Sequence, residues 1–99
     1  MSKSVKKTYS KTKTSYYRRL YVAYLIDSGT NTIDGIITQT GMPRRTLQDT
    51  IQALSDLDII VERRGGTKAA SYSISRWGAI DKTWIKKNLQ HVKDVLEYP

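Results

Sequence analysis

Between Pro43 and Asp58 the apolar residues Leu47, Ile51, Leu54 and Leu57 recur at spacings of four, three and three. That spacing gathers them on one side of an α-helix, predicted over about residues 43–57. Arg44, Arg45, Gln48, Asp49 and Gln52 fall on the other side. Pro43 suits the opening of the helix, because its ring presets φ and the first helical N–H needs no partner. Just upstream, Thr32 can cap a shorter helix through about Thr40 with Ile33, Ile36 and Ile37 inward. Gly41 then supplies the left-handed residue that ends it.

The flanks follow different periods. Tyr17, Leu20, Tyr21, Tyr24 and Leu25, widened by Val22, Ala23 and Ile26, predict a first helix from about Tyr16 to Ser28. Ser15 is its expected cap and Gly29 its end. Asn31 to Ile33 is room for a short strand at most. After Asp58 the pattern changes: Ile59, Ile60 and Val61 are β-branched and start a strand that runs to Arg64. Gly65 and Gly66 form a hairpin tip. Tyr72 and Ile74 then alternate with Ser71, Ser73 and Ser75, as in a half-exposed returning strand. Asp81 can cap a last helix to about Tyr98, with Ile80 and Ile85 as a hydrophobic staple. Trp84, Ile85, Leu89, Val92 and Leu96 make its stripe, and Trp77 and Trp84 are expected to close the core beneath it.

Length and composition narrow the classes. Ninety-nine residues hold one domain with one modest core. Cysteine is absent, which removes disulfides and thiolate metal sites and fits a reducing cytoplasm. No apolar run approaches the ~20 residues of a membrane span, and the lysine-rich start lacks a signal peptide's apolar segment. The net charge is +8, but residues 1–19 hold seven Lys/Arg and no acid, against ten Lys/Arg and nine Asp/Glu in the other eighty. The division expected is a basic flexible arm, residues 1–14, on a near-neutral domain, residues 15–99. Such an arm is either a solubilising tail or a segment that lies along phosphate.

Catalytic chemistry finds little support. His91 is the only histidine and has no second ligand type near it; Asp56 and Asp58 read as terminators of a helix. No nucleophile–base pair, metal spacing or paired carboxylate emerges, so neither an enzyme nor a cofactor is expected. The tyrosine stripe of the first helix reads as core, since the chain has no Phe to supply aromatic bulk.

A short helix, a glycine turn and a longer helix with a polar face make a helix-turn-helix. TGMPRRTLQDTIQAL resembles the second half of a bacterial winged helix-turn-helix, and IIVERRGGTKAASYSISRWG resembles the two-stranded wing that follows it. The resemblance covers about Ser15 to Pro99 and is to small, stand-alone bacterial winged-helix proteins. It departs from the family at Ile37, where a small residue is usual, and Gly35 lies inside the short helix.

The resemblance implies an α+β winged helix: a three-helix core with a helix-turn-helix, a two- or three-stranded wing at about 59–76, and an extra C-terminal helix. It also implies double-stranded DNA as partner, a transcriptional role, and a recognition helix carrying Arg44, Arg45, Gln48, Asp49 and Gln52 into the major groove. Arg63, Arg64 and Lys68 of the wing would reach backbone or minor groove, though a solvated hairpin end accounts for the same cations. Terminal helices dimerise many repressors of this family, so the last stripe covers either its own domain or a second copy. The rival reading is a winged-helix protein-interaction module without DNA binding, favoured by the near-neutral domain and by Asp49.

Overall fold

The computed structural model describes residues 8–66 and 70–99. Lys68, and Lys3, Lys6 and Lys7 of the expected arm, lie outside the described residues. Among the described residues five α-helices and a hairpin follow one another: α1 Lys11–Asp27, α2 Ile33–Thr40, α3 Arg44–Ala53, β1 Ile60–Arg64, β2 Ser71–Arg76, α4 Lys82–Lys87 and α5 Leu89–Leu96.

The central element is α1. Leu20, Tyr21, Val22, Ala23, Leu25 and Ile26 are all buried, more than one face of a helix can supply. The reason is that α3, β2, α4 and α5 all pack around it. Its start differs from expectation. Ser10, not Ser15, is the cap, accepting from Lys13 N at 3.1 Å, so residues 11–14 are helical rather than part of a disordered arm. Lys-Thr-Lys-Thr has no apolar period, and only the hydroxyl cap marks the true beginning.

The turn between α2 and α3 matches the capping chemistry. Thr32 accepts from Gly35 N at 3.0 Å, and Gly41 closes α2 at φ +78. Gly35 has a local reason to be small, because a Cβ there would lie 2.9 Å from the capping Thr32 Oγ1. Thr40 is buried, its hydroxyl donating to Ile36 O at 2.9 Å and accepting from Met42 N at 3.2 Å. Met42, absent from the expected core, fills the inside of the turn.

Pro43 stands just outside α3, and the helix tightens into a 3-10 turn over Leu54–Leu57 instead of running on to residue 57. Asp58 ends that turn at φ +61. Leu47 and Leu54 are fully buried, whereas Ile51 is only half-buried.

The sheet has two antiparallel strands, with Val61 opposite Ile74, Arg63 opposite Tyr72 and an irregularity at Ile60. Ile59 is buried just before β1, and Ile60 is turned outward. Asn31 forms no strand, although Thr32, which caps α2 through its side chain, has extended backbone. Tyr72 N donates to Asn31 O at 2.9 Å, a single bond where a third strand would pair.

At the C-terminus one long helix was expected, and two short ones are found. Asp81 does cap α4, accepting from Thr83 N at 2.9 Å. At Asn88 the backbone leaves helical geometry, and its side-chain amide donates to Trp84 O at 2.8 Å. The break swings α5 onto α1, so Ile85, Val92 and Val95 are buried within the domain. Trp84 is correspondingly 41% exposed, an edge-on neighbour of Tyr17 rather than a core residue. Trp77 and Ile80 pack on a second small cluster around Ala23, Leu54 and Ile59.

Candidate nucleic-acid interface

The exposed side of α3 is set by what its other side buries. With Leu47 and Leu54 held in the core, Arg44, Arg45, Gln48, Asp49 and Gln52 are all exposed. All five expected residues therefore share one solvent face, about 12 Å long from Arg44 to Gln52 at the helical rise.

They are not equivalent. Arg44 Nη2 donates to Asp34 Oδ1 at 2.7 Å, tying the start of α3 to the first turn of α2. Both partners are well exposed, so the pair contributes under about 1 kcal/mol. Its effect is on orientation: the Arg44 guanidinium is directed across the turn towards Asp34. Arg45 has no such carboxylate partner among the described residues, and it is the freer cation. The pair was not anticipated, although an acid in the first turn of α2 and a base opening α3 across a glycine turn are visible in the chain.

Two clefts border α3. On the wing side, Ile51, Gln52 and Ser55 face Ile60, Val61, Arg63 and Tyr72 across a mostly apolar groove of about 310 Å³. This links the helix to the wing and puts Arg63 at the groove's margin. Arg63 and Arg64 are exposed near the tip, where Gly65 takes φ +90. Their neighbour Lys68 is outside the described residues.

On the other side, α3 meets α1 in a polar cleft of about 220 Å³ lined by Ser15, Arg18, Arg19, Thr46, Asp49 and Thr50, together with Ala53. In the sequence Arg18 and Arg19 stand out only as part of the basic N-terminal excess. Their signal was their spacing: Ser15, Arg18 and Arg19 recur on the side of α1 away from Tyr17, Leu20 and Tyr24.

The back of α1 is aromatic. Tyr16, Tyr17 and Leu20 face Ile80, Trp84 and Ile85 across a groove of about 320 Å³. His91 approaches the Tyr17 hydroxyl at 3.5 Å, and the Lys13 amine lies 5.3 Å from the Tyr17 ring centroid. His91 thus sits edge-on to the Tyr17 ring. Among the described residues no group of three His, Cys, Asp or Glu could hold a metal ion. No helix among them is long and apolar enough to cross a membrane.

A winged helix-turn-helix family model matches residues 11–96. Among solved structures, a DUF2131 family protein from Shewanella amazonensis SB2B is 34% identical. It superposes with a TM-score of 0.85, covering 93% of this chain and 92% of that one. No curated protein matches the chain significantly.

Proposed function

The chain belongs to the winged helix-turn-helix family, whose members are generally DNA-binding, and from that premise we propose that it binds duplex DNA sequence-specifically as a cytoplasmic transcriptional regulator. The observation that carries the proposal is the shared exposed face of Arg44, Arg45, Gln48, Asp49 and Gln52, beside a hairpin that carries Arg63 and Arg64.

The roles follow from side-chain chemistry. Arg45 is suited to bidentate contact with guanine O6 and N7, Gln48 and Gln52 to adenine, and Asp49 to the amino group of cytosine. Arg44, already bonded to Asp34, is suited to orienting the helix and meeting phosphate. Arg63, Arg64 and Lys68 would hold the backbone or minor groove from the wing. Selection of bound fragments from random duplex DNA tests the whole reading. Enrichment of a defined sequence is expected; recovery of random sequence would leave a non-specific binder.

The protein-interaction reading keeps one specific support. Trp84 and Tyr16, 41% and 36% exposed, flank an apolar groove on the face away from α3. The same surface is where a homodimer would form, because the rest of the terminal stripe is turned inward, with Ile85 and Val92 buried and Leu89 and Leu96 packed against the core. A dimer on this surface predicts a doubled mass by light scattering at micromolar concentration and a palindromic selected site. Trp84→Ala should return the mass to that of a monomer. A monomeric wild type with no selected duplex would leave the groove as a site for a different protein.

A further inference from the structure

We propose that the cleft between α1 and α3 is a second phosphate-backbone site, in which Arg18 and Arg19, with the Ser15 hydroxyl, grip the strand that flanks the groove entered by α3. The inference rests on the DNA-binding reading and adds to it a contact element, α1, outside both helix-turn-helix and wing.

Four observations carry it. The cleft is lined almost wholly by polar side chains, unlike the apolar grooves behind α1 and beside the wing. Neither Arg18 nor Arg19 has an ion pair or hydrogen bond from its guanidinium among the described residues, whereas Arg44 and Lys82 each have a carboxylate. Both arginines are half-buried, so their positions are restricted by packing before any ligand arrives. Asp49 belongs both to the cleft wall and to the exposed face of α3, which makes the two surfaces continuous.

Two guanidiniums against one carboxylate leave the cleft cationic, and guanidinium forks match phosphate oxygens. The Asp49 carboxylate disfavours an anion deep in the cleft. It is compatible with one at the rim, where arginine side chains reach outward and the acid remains available to a base amino group. The strip also has length. Lys11 precedes Ser15 by four residues and Arg18 by seven, so one side of α1 offers polar and cationic groups over about 10 Å, roughly three base steps of one strand. An acidic protein surface would suit the same charges. Continuity with the polar face of α3 favours DNA.

The test uses the full chain, a duplex recovered by selection and a scrambled duplex, with affinity measured at several salt concentrations. Each phosphate contact contributes about −0.9 to the slope of log K against log salt. Arg18→Gln/Arg19→Gln should therefore flatten the slope by about 1.8 and weaken both duplexes alike, about thirty-fold at 0.15 M salt if affinities converge near 1 M. Arg18→Lys/Arg19→Lys should keep the wild-type slope. A folded glutamine variant with an unchanged slope overturns the site and leaves the DNA reading standing. A wild type that binds neither duplex overturns both. Should the glutamine variant fail to fold, Ser15→Glu replaces it: a carboxylate there should weaken both duplexes at low salt, and unchanged affinity overturns the site.

Discussion

Gly78 shows how much of this fold hangs on single backbone positions. It adopts φ +61, and a Cβ placed on it would lie 2.8 Å from Leu57 O and 2.9 Å from Asp58 O. Those carbonyls end the 3-10 turn after α3, so the residue lets the chain leaving the wing pass close to that turn. Gly78→Ala combines a left-handed alanine with a backbone clash, and a loss of about 1–3 kcal/mol or more is expected. Chemical denaturation checks it; an unchanged midpoint would mean that the passage has slack. Tyr21 gives a second, pH-dependent prediction. Burial pushes its phenol above the usual value, opposed by a hydrogen bond from the Gln39 side chain and reinforced by neighbouring Tyr98 and Tyr24. The folded state therefore favours the neutral phenol. The stabilisation is fully present below the ordinary phenol pKa of about 10 and is lost as pH rises through the higher folded value. Melting temperature should fall above about pH 10, and less steeply in Tyr21→Phe. Equal slopes for the two proteins would assign the alkaline loss to other groups. None of this could be read from the chain, in which Gly78 follows a tryptophan like any loop glycine and Tyr21 is one of seven tyrosines.

At the scale of elements, what was legible was whatever a local interaction decides. Thr32, Gly41 and Asp81 mark helix ends because each satisfies orphan backbone groups within a few residues, and all three act as expected. The face of α3 was legible because one periodic stripe suffices to orient a helix. The rest depends on tertiary packing. The break at Asn88 is invisible as periodicity, since Ile85, Leu89 and Val92 continue the stripe across it; packing of α5 on α1 selects the broken form. The third strand is reduced to one backbone bond, from Tyr72 N to Asn31 O, because α2 begins two residues later and leaves too short an extended segment to pair further. The same distinction separates two residues of one stripe. Ile51 looks equal to Leu47 in spacing, but it faces the wing groove and is half-buried, while Leu47 is sealed in the main core. Leu47→Ala should cost about 2–5 kcal/mol and leave a cavity that its rigid neighbours cannot fill. Ile51→Ala should fall near or below the bottom of that range. Thermal unfolding of the two variants decides; an equal or larger loss at Ile51 would show that the wing seals this groove more tightly than its exposure indicates.

For the whole molecule, the distribution of charge changes once α1 is known to begin at Lys11. Seven cations precede residue 20, and four of them, Lys11, Lys13, Arg18 and Arg19, are on α1. The domain is therefore more basic than a boundary after Thr14 suggests. A truncation meant to remove only a tail must also stop short of the Ser10 cap. Cutting through Thr14 would delete the cap and first turn of the central helix, confusing lost stability with lost binding. Deleting residues 1–7 removes Lys3, Lys6 and Lys7 and leaves the cap in place. If those lysines lie along phosphate, the salt slope should flatten by up to about 2.7, and affinity should fall alike for a selected and a scrambled duplex. Arg45→Ala should behave oppositely, losing about 1–3 kcal/mol on the selected duplex and little on the scrambled one if it reads guanine. Arg44→Ala should show a smaller loss of preference, since Asp34 already holds that guanidinium. Titrations of all three proteins on both duplexes, at several salt concentrations, separate an arm that adds affinity from a helix that adds specificity. A truncation with an unchanged slope makes residues 1–7 a solubilising tail. An Arg45 variant that loses affinity equally on both duplexes removes sequence readout from that position and leaves it a phosphate contact.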